Sequence, residues 1–403
     1  MRMIAKFVPA VLFVGMLISS DVMAQTRAGD PVRISLGASG EYTDNRDSTP
    51  DGESNFDWYI RPRIDLVPIL DTASVVFYYA PALRYRSEPN VLQNETELYH
   101  DLGLELRNTA VERTELRLLE YFNYTDDPAV TQGGTTLRRD SSYILNRVEA
   151  GMTRDLADKK SRLDMAVRHY VKAFDESTAA NESDESGAGV DGSVLRSFTP
   201  DVSILGTVGY SGTDYKEVAG AKRGFSSVVG GIGMEMQKSM NVRLSARLGF
   251  QSVDYADSSI GSENTPMANI SIFGQTVPTF RFVLSVDHRI RETDAYPFSS
   301  QKATDFKGDI EWDAVPLKWT WRIGGLYHTG DYDSETVASG IPSSEFIEQT
   351  GGSEQIIAMS GGFTYTINEF TTLTASQRYE NKDSDVNLDF TRNTTSLSFS
   401  RKF

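Results

Sequence analysis

The chain has no cysteine among its 403 residues and only four histidines. Without cysteine there is no disulfide framework, no thiolate metal site and no cysteine nucleophile. Basic residues are also in deficit, 40 Lys+Arg against 56 Asp+Glu for a net charge of −16. Nucleic-acid binding is thereby excluded, because phosphate affinity rests on clustered cations. Long apolar runs are missing beyond residue 24. No later stretch approaches the ~18–20 apolar residues of a membrane helix, so any membrane span must be built from strands. Catalytic signatures are lacking too. His100, His169, His288 and His328 show no metal-ligand spacing, and each reads as a membrane-interface residue near the outer end of a strand. There is no Gly-x-Ser-x-Gly element and no His with the partners a hydrolase needs, so the chain reads as no enzyme, with neither cofactor nor metal. Glu182, Asp184 and Glu185 lie in a Ser/Gly-rich stretch that fixes no separation between them, which suits a solvated loop tip better than a glycosidase pair.

The first residues are of a different kind. Arg2 and Lys6 precede an apolar run from Phe7 to Ile18, and Val22, Met23 and Ala24 supply the small-x-small pattern of a secretory leader. Cleavage after Ala24 is expected, leaving residues 25–403 as a single, strongly acidic domain. That domain alternates apolar and polar residues with a period of two: Phe56, Trp58, Ile60, Ile64 and Leu66 against Asp57, Tyr59, Arg61, Arg63 and Asp65, then Leu98, Leu102, Leu104 and Leu106 against Glu97, Tyr99, Asp101, Glu105 and Arg107. The beat persists through Val242–Phe250, Phe280–Val286, Leu317–Ile323 and Gly361–Ile367. These are strands with two unlike faces.

Connections alternate in length. Short turns fall at Val67–Asp71, Asn108–Glu112, Leu156–Lys160, Thr199–Asp201, Lys238–Asn241, Gln275–Pro278, Ala314–Pro316 and Asn368–Phe370. Longer polar loops lie between them, among them Asp44–Asn55, Asp175–Gly192, Glu292–Gln301 and Gly330–Ser353. Eighteen strands result, within a range of 16–20. The expected fold is all-β: a transmembrane antiparallel β-barrel with short periplasmic turns and long extracellular loops in the bacterial outer membrane. Trp58, Trp312, Trp319 and Trp321 sit near strand ends, where an aromatic girdle meets the headgroups. A secreted sandwich or propeller would need neither one-sided loops nor these tryptophans. The chain ends on Leu397, Phe399 and Phe403 at alternate positions, resembling the carboxy-terminal signal read by the barrel-assembly machinery, with Phe399 and Phe403 as its anchors and Arg401 as a departure from it.

On this reading the polar phase faces a lumen lined by Arg61, Arg63, Arg84, Asp101, Arg117, Arg168, Arg243, Arg247, Arg281 and Arg322 among others, with acidic residues in similar number. These charges suit either a water-filled pathway or cross-strand ion pairs that stiffen the wall, for instance between the strands of Asp101 and Arg117. Tyr59, Tyr78, Tyr99, Tyr121 and Tyr170 share this phase and are candidates to stack on sugar rings. The acidic residues of 175–192 and 330–354, Glu185, Asp191 and Glu354 included, are expected to concentrate negative charge outside, beside lipopolysaccharide, with weak divalent-cation binding as a minor option.

Leu36–Asn45 with its Tyr-Thr-Asp-Asn element, Phe56–Leu66, and Glu97–Asn108 followed by Arg113–Tyr124 resemble the putative beta-barrel porin 2 family of Gram-negative outer membranes, which includes exopolysaccharide-operon barrels. The resemblance extends over the layout of the whole mature chain through diffuse alternation and implies no particular site residue. Three functions stand side by side: a hydrophilic passage for small solutes, an export conduit for an exopolysaccharide, and a plugged barrel whose loops make surface contacts.

Overall fold

In the computed structural model the described residues are 31–46, 48, 50–68, 70–89, 94–125, 130–131, 134–135, 142–158, 160–175, 184–217, 223–239, 241–291, 293, 298–333, 351–386 and 389–403. The expected leader with its cleavage after Ala24, Glu182, and most of the loops 175–184 and 333–351 lie outside them.

A period of two puts alternate side chains on opposite faces, and a chain of such segments satisfies its backbone in lipid only by pairing every edge. Eighteen antiparallel strands do so: β1 (Val32–Thr43), β2 (Asn55–Leu66), β3 (Ala73–Tyr79 and Ala82–Arg86), β4 (Thr96–Asn108), β5 (Thr114–Thr125), β6 (Tyr143–Asp155), β7 (Ser161–Phe174), β8 (Glu185–Ser197), β9 (Val202–Tyr215), β10 (Phe225–Ser239), β11 (Val242–Tyr255), β12 (Ser262–Val277), β13 (Phe280–Arg291), β14 (Gln301–Val315), β15 (Trp319–Asp333), β16 (Gly351–Asn368), β17 (Thr371–Ser384) and β18 (Phe390–Lys402). Each pairs with its sequence neighbours, and β18 pairs with β1 from Ser35–Lys402 to Thr43–Thr394, which closes the barrel. A short ribbon, Val130–Thr131 with Gly134–Thr135, lies between β5 and β6. Strand β3 is interrupted without a change of register: Ile64 opposes Tyr79 below the gap and Ile60 opposes Leu83 above it. That register sets Pro81 opposite Pro62, two residues with no N–H to donate, so the ladder lapses there.

The short turns are closed locally. In the β6–β7 turn Asp158 accepts the Ser161 hydroxyl and the backbone N–H groups of Lys160 and Ser161, and these bonds hold its carboxyl below the ordinary carboxylate range.

Register separates the faces. Leu36, Ala38 and Gly40 oppose Pro62, Ile60 and Trp58 on the outside, while Ser39, Gly37 and Ser35 oppose Tyr59, Arg61 and Arg63 on the inside. All four tryptophans lie on the outer face: Trp58 beside Phe56 toward the extracellular rim, and Trp312, Trp319 and Trp321 with Phe363 and Tyr365 toward the periplasmic one. Leu397 and Phe399 are outward as well, and the backbone N–H of Phe403 bonds to the Ile34 carbonyl at 2.9 Å.

Several expectations change. Strand β8 begins at Glu185, so Glu185–Gly192 are strand and not loop. Glu185 and Asp191 face inward and pair with Lys172 and Arg168. Glu354 likewise belongs to β16 and is buried against Lys382, so these three carboxylates add no charge outside. Asp101 opposes Asn123 and binds the Tyr78 hydroxyl, whereas Arg117 pairs with Glu149 at 2.9 Å; the Asp101–Arg117 contact does not form. His169, on the outer face between Val167 and Val171 within β7, is no interface residue, and neither is His328. His328 faces inward and is buried, with Nδ1 2.7 Å from Asp305.

Candidate functional site: the lumen

The inner wall divides into two zones by how much water its charges see. Midway down the barrel and toward the periplasm the guanidinium groups are open: Arg63, Arg117, Arg168, Arg247 and Arg281 are each about two-fifths to one-half exposed, and Arg322 is 68% exposed. Most have a carboxylate nearby, Arg117 with Glu149, Arg168 with Asp191, and Arg281 and Arg322 sharing Glu311. At such exposure the pairs contribute little to stability, roughly 0–1 kcal/mol each. Arg243 also sits on this inner face, opposite Gln237 and Phe273.

Near the extracellular end the same phase carries ion pairs that are almost dry. Arg84 binds Asp57 through Nε at 2.9 Å, with the two side chains 7% and 2% exposed. Arg86, fully buried, reaches Glu97 at 2.7 Å and the Tyr99 hydroxyl at 2.5 Å. On the other side of the seam Arg392 binds Glu380, Lys382 binds Glu354 at 3.0 Å, His328 lies between Asp305 and Glu354, and Arg291 meets Asp305 at 2.8 Å. Buried charges are tolerated only when paired and hydrogen-bonded, and here the partners come from successive strands, so that one ring ties β13 through β18 and another ties β2 through β4.

The mouth is narrowed by the wall itself. Strand β13 pairs with β12 only as far as His288–Ala268, but it pairs with β14 up to Arg291–Gln301. Beyond His288 the β13–β14 hairpin leaves the wall and turns into the lumen. Ile290, on the outward phase of its strand, is 2% exposed because it packs against the inward-facing Phe225 and Val253. The Gln251 side chain of β11 both donates to the Ile290 carbonyl and accepts its N–H, at 3.0 and 2.8 Å. Further in, Arg223 donates twice to the Phe298 carbonyl, the Tyr215 hydroxyl accepts the Thr293 N–H, Tyr255 bonds Ser300, and Lys302 pairs with Glu263. Phe298 then meets Tyr332 and Val386 on the far side. The hairpin thus reaches from the β9–β12 wall across to the end of β15.

A cavity of about 460 Å³ lies along β1–β5 and β18, lined by Ser39, Tyr59, Arg61, Arg63, Arg84, Tyr99, Asp101 and Asn123. The tyrosines of the inner wall are engaged. The guanidinium groups of Arg61 and Arg84 lie 4.0 and 5.4 Å from the Tyr59 ring centre, and Arg63 lies 4.3 Å from that of Tyr78. Tyr78 and Tyr170 lie over Gly103 and Gly187, where a Cβ would collide with the rings; only glycine permits that approach. Tyr121, 37% exposed, is the most open of the five. The inserted hairpin and the dry rings escape sequence reading, the first because Ile290 keeps the outward beat, the second because Glu354 and Arg291 adjoin loops.

The profile of the family described as "Putative beta-barrel porin 2" matches residues 30–403. Among solved structures the barrel is similar to OccK2 (OpdF) of Pseudomonas aeruginosa, 12% identical over 92% of this chain and 98% of that one with a TM-score of 0.50. It is also similar to OpdK of the same organism, 11% identical over 92% and 99% at 0.49, and to OccAB2 of Acinetobacter baumannii, 11% over 92% and 98% at 0.49. No curated protein matches the chain in sequence. Identities this low speak of fold alone. The match along nearly the whole chain decides the family: this protein belongs to the putative beta-barrel porin 2 family, as a porin-like barrel of the bacterial outer membrane.

Proposed function

We propose that the barrel is a passage for small hydrophilic solutes, wet along its periplasmic part and restricted at its extracellular mouth by the β13–β14 hairpin. The observation that carries this reading is the contrast in exposure along the inner wall. Arg117, Arg168, Arg281 and Arg322 keep their guanidinium groups open, which a filled core does not allow. Their mixture with Glu149, Asp191 and Glu311 favours polar solutes without strong preference for one sign. The same reading makes outer-membrane lipid and lipopolysaccharide the surroundings of the outer face, the assembly machinery the reader of Phe399 and Phe403, and a leader ending at Ala24 the route of delivery. Purified protein that is folded by its heat-modifiable mobility should give discrete conductance steps in planar bilayers. Folded protein that never conducts would end the proposal.

Export of a polysaccharide draws less support from the lumen. Cations cover the Tyr59 and Tyr78 rings and bonds occupy Tyr99, which leaves Tyr121 as the wall's most open tyrosine rather than a track of them.

A further inference from the structure

The outer face carries one charged side chain in the wrong place. Among the described residues, charged groups on the outward phase, such as Arg154, Arg196, Asp214, Asp254 and Arg401, stand at or next to strand ends, where headgroups and water reach them. Glu120 does not. It lies midway along β5, on the phase of Leu118 and Phe122, opposite Leu104 on one side and Val148 on the other. Asn146, outward on β6, donates to its carboxylate at 3.5 Å. In the same row, one strand beyond Val148, stands His169 of β7, exposed between Val167 and Val171. A carboxylate, an amide and an imidazole therefore share three adjacent strands within an apolar belt.

Acyl chains offer such groups no partner, and lipid headgroups and lipopolysaccharide sugars lie at the rims and not at mid-height. Whatever covers the patch must bring polar groups of its own to that depth. A second copy does so automatically. Two barrels of the same orientation meeting face to face about a two-fold axis bring the left side of one patch onto the right side of the other. With the axis at Val148, Glu120 meets the partner's imidazole while His169 meets the partner's carboxylate, a donor or cation against an acceptor at both ends. Ala150 and Ala188 beside the patch are small enough for the walls to approach. We propose that the outward face of β5–β7 is an interface between two copies of this chain, held by reciprocal Glu120–His169 contacts.

The absence of native cysteine makes the test clean. Val148→Cys, on the axis, should give a disulfide-linked dimer in intact outer membranes under mild oxidation, whereas Ile232→Cys, on the outward face of β10, should not. Adding Glu120→Leu and His169→Leu should abolish the Val148→Cys crosslink while the barrel stays heat-modifiable, and the exchange Glu120→His with His169→Glu should restore it. A chain that stays monomeric with Val148→Cys, that crosslinks equally at both positions, that crosslinks to a protein of another mass, or that ignores the leucine pair would overturn the proposal.

Discussion

Loosening the inserted hairpin should open the pore, and its anchoring contacts say by how much. Ile290→Ala removes most of a side chain that is 2% exposed between Phe225 and Val253. Truncations of this kind in packed surroundings cost about 2–4 kcal/mol. The strand itself does not depend on this contact, since β13 remains laddered to β14 throughout. The loss therefore falls on the equilibrium between hairpin seated and hairpin released. At about 1.4 kcal/mol per tenfold, the released population rises roughly thirty-fold to several hundred-fold. Gln251→Leu acts by a second route. It strips both bonds from the Ile290 backbone and leaves a buried donor and acceptor unmet, about 1–3 kcal/mol for each. Single-channel recordings of wild type, each variant and the pair should show longer or larger open steps in that order, at unchanged heat-modifiable mobility. Identical open times and step sizes in all four proteins would refute the view that this hairpin restricts the mouth.

Three further outcomes follow from the inner wall and the terminus. Asp57→Leu leaves Arg84 charged in a dry site and should lower unfolding stability in denaturant titrations by about 3–5 kcal/mol, while Asp57→Leu with Arg84→Leu should recover most of it. Arg281→Gln with Arg322→Gln should alter stability by under about 1 kcal/mol yet shift the reversal potential in a salt gradient toward cation preference, because Glu311 loses both partners in the open lumen. Deleting Phe403, or replacing it with Asp, should deplete the barrel from the outer membrane with synthesis unimpaired, whereas Arg401→Tyr should leave its level unchanged on immunoblots of membrane fractions.

Much of the barrel is legible in the chain because a sheet with lipid on one side and water on the other forces the period of two onto every strand. Arg61, Arg117 and Arg281 could be put on the inner phase from their neighbours alone. What stays hidden is any departure from the cylinder. Ile290 reads as lipid-facing and obeys its strand, yet it ends up inside because the strand leaves the wall. Glu185 to Gly192 read as loop since Glu, Ser, Gly and Asp are poor strand formers. They form β8 because ladders on both sides, and ion pairs from Lys172 and Arg168, supply what propensity does not. Asp101 and Arg117 match by charge, but which residue faces which depends on register across β4 and β5, and turn lengths alone do not disclose it.

The closing ladder has a consequence for how the barrel avoids shutting out of step. Opposite Ser35, Gly37 and Ser39 of β1 stand Lys402, Ser400 and Ser398 of β18, and on that inner side a slip of two residues would exchange one small polar contact for another. Side chains there give little penalty for misalignment. The discrimination sits at the extracellular tip, where the Asp44 carboxylate takes two bonds from Asn393, Asn45 donates to the Thr391 carbonyl, and Arg392 reaches Ser48. These contacts can be made in one alignment only. The loop after β1 thus ties the native alignment of the seam. A chain lacking Asp44 should close into a mixture of alignments, and so of circumferences, rather than fail to close.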